Sequence, residues 1–135
     1  MNDQKPLPAL NEDTREFWEG CRHHQLKFQK CSECGLIRWP PSIICPTCHS
    51  LEQKWAPAEG RGKIFTFAVY HQPFHPAFKN DLPYVVAVIE LEEGVHFLSN
   101  LVGCDHRLIR CGMPVRVVWE DRKEGFSIPK FTPVQ

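Results

Sequence analysis

No stretch of this chain approaches the roughly 18 consecutive apolar residues that a membrane-spanning helix needs. Its opening, Met1 to Leu10, is polar and broken by prolines, unlike an apolar export signal. Neither sign of charge is in surplus, with 16 Lys and Arg against 16 Asp and Glu. Proteins whose main task is gripping a phosphate backbone carry a basic excess, so this balance speaks against that class. Several catalytic signatures are missing as well. No Ser or Cys sits in a Gly-x-Ser-x-Gly elbow, and no His pair has metalloprotease spacing. Gly60-Arg61-Gly62 lacks both the length and the following Lys-Ser/Thr of a phosphate-cradling loop. There is no internal repeat and no low-complexity tract. The expectation is a soluble, cytoplasmic protein with no catalytic constellation of its own.

Cysteine is what the chain has in excess. Seven occur in 135 residues, four of them as two Cys-x-x-Cys pairs, Cys31/Cys34 and Cys45/Cys48, separated by ten residues. In a reducing compartment such paired spacing reads as metal binding rather than as disulfides. A Cys-x-x-Cys turn aims both sulfurs at one point, and a second turn completes a tetrahedron of thiolates. Gly35, just after the first pair, permits the positive φ with which the turn folds back on the metal. Redox-active or merely buried cysteines would require both spacings to coincide by accident. Soft thiolates select zinc or iron over hard cations, and zinc is the expected ion with iron the alternative. Four thiolates leave no open coordination position, so the metal is expected to be structural and to substitute for a core too small to build. With four cysteines at hand, His49 is expected outside the ligand set. Cys21 lies on the apolar side of a helix and reads as packing. Cys104 and Cys111 flank a short helical turn.

That length fits one compact domain or two very small ones. A helix is predicted from Asn11 to about Gln25, capped by Asp13 with Glu16 completing a capping box, and with Phe17, Trp18 and Cys21 on one side. Leu26 and Phe28 alternate with polar residues as a short strand into the first cysteine pair. Pro40-Pro41 forces an extended path between the knuckles. Trp55 to Gly62 reads as a Pro/Gly linker. The expected organisation is residues 1–25 arm and helix, 26–58 zinc ribbon and 59–135 a β domain. Strands are predicted at Lys63–His71, Tyr84–Leu91, Val95–Val102, Val115–Glu120 and Phe126–Phe131, with a hairpin turn at Glu92-Glu93-Gly94 and a helical turn at Asp105–Arg110. Five strands with a helical insert after the third match the Greek-key barrel called the OB-fold. An open five-stranded sheet is the competing architecture.

Phe65, Phe67 and Val69 alternate as one core-facing row. Tyr84–Leu91 is apolar on both faces, at Val85/Ala87/Ile89 and at Val86/Val88. A small barrel buries one face of a strand, so the ribbon, the helix or another protein should cover the other. That favours a partner-binding module over a nucleic-acid groove, the alternative use to which zinc ribbons and OB-folds are put. His71 and His75 near the long loop Gln72–Pro83 lack a visible nucleophile and read as surface or interface groups.

The string as a whole resembles a bacterial and archaeal acyl-CoA-associated family, domain of unknown function 35, that joins a rubredoxin-like zinc ribbon to an OB-fold. The likeness runs from Phe17-Trp18 to Phe131. It rests on Leu26-x-Phe28-x-x-Cys31-x-x-Cys34-Gly35, Trp39-Pro40-Pro41, Cys45-Pro46-x-Cys48, Gly60-Arg61-Gly62-Lys63, Pro83-Tyr84-Val85-Val86, Glu90-Leu91-x-Glu93-Gly94, Gly112-Met113-Pro114-Val115 and Pro129-x-Phe131. Where the family often has an Arg after the strand-turning Glu-Gly, this chain has Val95-His96, and no ligand contact is carried over there. The resemblance implies a companion subunit of thiolase- or aldolase-type enzymes of lipid, sterol or polyketide-type metabolism, handling CoA esters or scaffolding rather than catalysing. On that view Arg38, Arg61 and Lys63 are candidates for the CoA phosphates. Trp39, Phe74 and Phe78 are candidates for an adenine or acyl chain. All are expected around a cleft left by a Gly/Pro hinge between ribbon and barrel.

Overall fold

A computed structural model describes residues 6–73 and 75–134. Helix α1 (Arg15–Arg22) buries Phe17, Gly20 and Cys21 on one face. It is shorter than the sequence suggests at both ends. Asn11 Oδ1 accepts the Thr14 N–H at 3.0 Å and the Thr14 hydroxyl at 3.2 Å, which closes residues 11–14 as a turn and leaves Thr14 as an N-cap that caps no helix amide with its side chain. The Asp13–Glu16 capping box is therefore not formed. At the other end His24 adopts φ 58°, and the His24 and Gln25 amides fold back onto the Cys21 and Gly20 carbonyls, both at 2.8 Å. This is a Schellman stop, and it releases Gln25 from the helix.

The ribbon is a three-stranded antiparallel sheet in the order β2 (Ile37–Arg38), β1 (Leu26–Cys31), β3 (Gln53–Ala58). The predicted linker is a correction here. Residues 53–58 pair with β1 over its whole length, Leu26 against Ala58 through Cys31 against Gln53. Pro57 fits because β3 is an edge strand and its missing N–H is not needed by a neighbour. Only Glu59 and Gly60 then connect ribbon to barrel. Gly60 has φ 78°, and a Cβ there would lie 2.4 Å from Val117 Cγ1. No side chain fits that approach.

The remaining strands, β4 (Arg61–Tyr70), β5 (Tyr84–Leu91), β6 (His96–Leu101), β7 (Pro114–Asp121) and β8 (Ser127–Pro133), close into a barrel in the order β4-β5-β6-β8-β7. This is the OB-fold, and the open sheet is excluded. A single-turn 3₁₀ segment, His106–Leu108, sits between the third and fourth barrel strands. The long loop holds a longer 3₁₀ segment, Pro76–Asp81, started by His75 Nδ1 accepting the Ala77 N–H at 3.0 Å. Along β5, Val85, Ala87, Ile89 and Leu91 point inward and are buried. The β4 row needs a second correction. The register slips between Ile64 and Thr66, so Ile64, Phe67 and Val69 face β5's inward residues, and Phe65 becomes the extra residue of a bulge, 52% exposed.

Ribbon and barrel share one core. Phe97 of β6 stands 5.2 Å from Trp39, 5.7 Å from Phe28 and 5.8 Å from Phe17, centroid to centroid. The expected cleft at this junction is filled by these rings.

Candidate functional site

Two turns of like geometry bring the four paired cysteines together. In the first, the Gly35 amide donates to the Cys31 carbonyl at 3.0 Å and the Cys31 amide to Leu36 at 2.9 Å. In the second, the His49 amide donates to Cys45 at 2.9 Å and the Cys45 amide to Ser50 at 3.0 Å. The residue after each second cysteine is left-handed, Gly35 at φ 79° and His49 at φ 64°. His49 thus occupies the place of a glycine, a backbone duty that its residue type did not advertise. It is exposed and outside the ligand cluster.

The four Sγ atoms lie within 4.8 Å of one another, with Cys31 to Cys48 at 3.5 Å and Cys34 to Cys45 at 3.6 Å. Cys31 and Cys45 are buried, Cys34 and Cys48 exposed. Donation from the Cys34 amide, opposed by burial and joined by the Glu33 amide, brings the Cys31 thiol down to about 6. The Cys48 amide, the largest influence on Cys45, lowers that thiol too. A turn that aims amides at sulfur favours thiolate, the form that binds metal, at Cys31 and Cys45. Despite amide donation from Leu36 and Ser50, burial and the neighbouring thiols push Cys34 up and Cys48 up to about 12. A tetrahedral soft-metal site fits these donors, and with four thiolates it presents no open position to a substrate. By contrast, burial drives the Cys21 thiol up to about 12, consistent with packing rather than reactivity.

The other nominated residues are scattered. Arg38 is buried and donates to the Ser42 carbonyl at 3.1 Å and to Gln53 Oε1, cross-linking the ribbon. Trp39 is half-buried in the aromatic core, 4.4 Å from Phe17. Arg61 and Lys63 are exposed on β4, with Lys63 Nζ 4.0 Å from Glu90. Phe74 lies outside the described residues. Phe78 lines a cleft of about 550 Å³ on the barrel surface, with Pro83, Tyr84, Leu101, Val102 and Lys130 among its walls. The sequence named Phe78 and the Pro83-Tyr84-Val85 motif but not the cleft, because its walls come from four separated segments, residues 78–85, residues 100–106, Glu120 and Lys130.

The second face of β5 is not covered by the ribbon or the helix. Val86 and Val88 lie beside Ala68, Thr66, Asn100 and Leu98, and Leu98 is 61% exposed. Phe65 joins them, packed on His96 at 4.5 Å. Helix α1 lies over β1 and β8 instead. Among the described residues no helix is long and apolar enough to cross a membrane.

Comparison with known proteins gives a consistent picture. Residues 18–52 match the family model for the ChsH2 rubredoxin-like zinc ribbon domain, and residues 55–120 match that for the ChsH2 C-terminal OB-fold domain. A DUF35 domain-containing scaffold protein of Methanothermobacter thermautotrophicus is 36% identical over 120 residues, covering 86% of this chain and 88% of that protein. A probable enoyl-CoA hydratase alpha subunit of Thermomonospora curvata is 38% identical over 96% of this chain. The 3-oxo-4,17-pregnadiene-20-carboxyl-CoA hydratase alpha subunit of Mycobacterium tuberculosis is 37% identical over 88%. The chain spans only 40% and 37% of the length of those two subunits. Among solved structures, a chain of the Ltp2-ChsH2(DUF35) aldolase superposes with TM-score 0.86 at 38% identity, over 94% of this chain and 98% of that one.

Proposed function

The chain belongs to the DUF35 family of ChsH2-type zinc-ribbon and OB-fold proteins, and from that premise we propose that it is a non-catalytic companion subunit of a thiolase- or aldolase-type enzyme acting on CoA esters in lipid, sterol or polyketide-type metabolism. One observation carries the reading. The outer face of β4, β5 and β6 presents exposed Phe65 and Leu98 beside half-buried Val86 and Val88, and among the described residues no element lies over it. Contiguous apolar surface of this kind, rimmed by the polar His96, Thr66 and Asn100, suits a protein interface. The aldolase named in the matched structure, and the subunit status of the hydratase relatives, support an enzyme as the occupant.

In this role the metal, zinc by its four-thiolate donor set and the zinc-ribbon family match, holds the ribbon and takes no part in chemistry. Among the described residues no Ser or Cys side chain is hydrogen-bonded to a His ring, which fits a subunit that supplies surface rather than turnover. Gel filtration and calorimetry with thiolase- and aldolase-type proteins of the same host test the reading. A defined complex at micromolar concentration supports it. Independent elution and no heat of binding defeat it, as would robust acyl-CoA turnover by the isolated chain that His71→Ala or His75→Ala abolishes.

A further inference from the structure

The ribbon holds a buried charge that no acidic side chain balances. Arg38, the last residue of the short strand β2, is only 7% exposed. Its Nη2 donates to the Ser42 carbonyl and to Gln53 Oε1, both neutral acceptors. Its Nε and Nη1 are buried and have no acceptor among the described residues. No described carboxylate pairs with it either. A guanidinium keeps its proton at every ordinary pH, so the charge is not shed by titration. A buried charge without a counter-charge is among the most costly groups a fold can hold.

Strand register identifies what lies beside it. Arg38 stands directly opposite Gln29 on β1, and Cys31 is two residues further along that strand. Gln53, which accepts from Arg38, stands directly opposite Cys31 on β3. Residues directly opposite, and residues two apart in one strand, share a face. Arg38, Gln29, Cys31 and Gln53 therefore project from the same side of the ribbon sheet, and Arg38 and Cys31 are about 7 Å apart along the strand direction. The second bond of Arg38 leads toward the other cysteine turn. Ser42 lies three residues before Cys45, and its amide donates to Gln29 Oε1 at 2.8 Å. The remaining charges close to the turns in sequence do not share this position. Lys30 and Lys54 pair on the opposite side of the sheet, and Glu33 and Glu52 carry negative charge. Four thiolates around one divalent ion leave two negative charges in excess.

We propose that Arg38 is the charge partner of the metal centre, its buried guanidinium offsetting the excess negative charge of the four-thiolate site across the shared face of the ribbon. The role needs an ion at the four cysteines, which the donor set and the zinc-ribbon match support, and it is independent of the companion role. The residue that the sequence offers to the phosphates of CoA is thereby assigned to an anion that the ribbon itself builds.

The test uses the full chain loaded with zinc and, in parallel, with iron, as wild type, Arg38→Met, Arg38→Lys and Lys54→Met. Zinc affinity is read by competition with a chromophoric chelator. Arg38→Met should lose about 10–100-fold, the scale for residues that support a metal site without ligating it. Arg38→Lys keeps the charge and should stay closer to wild type than to Arg38→Met. Lys54→Met removes an exposed, solvent-screened charge and should match wild type. Iron separates charge from mere cross-linking, because the reduced centre carries one more negative charge than the oxidised one. Its ferric/ferrous potential should fall in Arg38→Met, and Arg38→Lys should restore most of the shift. Unchanged zinc affinity or an undiminished potential in Arg38→Met overturns the proposal, as does an Arg38→Lys chain that falls as far as Arg38→Met. If Arg38→Met holds no metal, Arg38→Lys decides: retained zinc supports the charge role and lost zinc overturns it. A wild-type chain that binds neither ion overturns the metal centre and the role of Arg38 with it. Zinc bound equally by wild type and Arg38→Met overturns the role of Arg38 alone.

Discussion

In the barrel, five strands close on one another and the inward row of β5, Val85, Ala87, Ile89 and Leu91, is buried along its whole length. In the ribbon, β2 is two residues long, and Ile43, Ile44 and Leu51 stand 66, 50 and 64% exposed. The one body is held by apolar packing and a sheet without edges. The other has little apolar interior beyond the face it lends to the barrel, and its far end is organised around four sulfurs. Such a difference is what metal staples in small β structures are for: the ion supplies free energy that the residues cannot. The two bodies meet through Phe17, Phe28, Trp39 and Phe97, so the barrel depends on the ribbon for the covering of one aromatic ring.

Removing the metal should break this contrast most severely. Cys31→Ser or Cys45→Ser, or strong chelation, should unfold the far end of the ribbon, since structural zinc binding contributes on the order of 10 kcal/mol. Metal analysis should return one ion per chain in the wild type. Hydrogen exchange should then show protection lost in residues 31–53 and retained in β5 and β7. Metal-free protein with an intact ribbon would contradict the contrast. The shared core comes next. Phe97→Ala opens a cavity where ribbon and barrel meet, and should cost about 3–5 kcal/mol in chemical denaturation.

Two glycines refine the comparison further. Gly60→Ala combines a positive φ with the collision against Val117, whereas a Cβ on Gly35 would meet nothing within 4 Å. The first substitution should cost about 1–3 kcal/mol and the second about 1 kcal/mol, read as the difference between their unfolding midpoints. The smallest effect concerns acid. His24 Nε2 lies 2.7 Å from Asp121 Oδ1 and ties the end of α1 to the barrel, while the Ser127 hydroxyl donates to the same oxygen at 2.6 Å. Ser127 first, and then His24, hold the Asp121 carboxyl below its ordinary value. A depressed folded pKa stabilises above the unfolded value, near 4, and that contribution is lost as pH falls further. Asp105, held at about 2 by Arg107, behaves in the same sense within the barrel alone. Melting curves from pH 7 to pH 2 should therefore show Asp121→Asn with a shallower fall than wild type below about pH 4.

The clustering of four thiols was legible in the sequence because it depends on residue type at fixed spacing, and Cys31, Cys34, Cys45 and Cys48 carry that signal alone. The barrel strands were legible from alternation and turn residues, with Tyr84–Leu91 placed to the residue. What stayed hidden depends on tertiary neighbours. Trp55 to Gly62 look like a linker because Pro57, Gly60 and Gly62 resemble one, yet an edge position makes the proline harmless and the stretch divides between β3 and β4. Phe65 looks like core because parity says so, yet a one-residue bulge turns it outward. Asp13 looks like a cap, yet Asn11 closes the turn first. Arg38 and Trp39 have the chemistry of ligand residues and are committed to the ribbon and to the aromatic core it shares with the barrel.

The companion role depends on the apolar face outside the barrel. Sedimentation velocity of the chain mixed with a thiolase- or aldolase-type protein of the same host, with wild type and Leu98→Asp compared at micromolar concentration, addresses it directly. Leu98 is 61% exposed, so its replacement leaves the core untouched. The expected result is a complex with wild type and little or none with Leu98→Asp, whose own melting temperature is unchanged. A Leu98→Asp chain that assembles as well as wild type, or a wild-type chain that does not assemble, would contradict it.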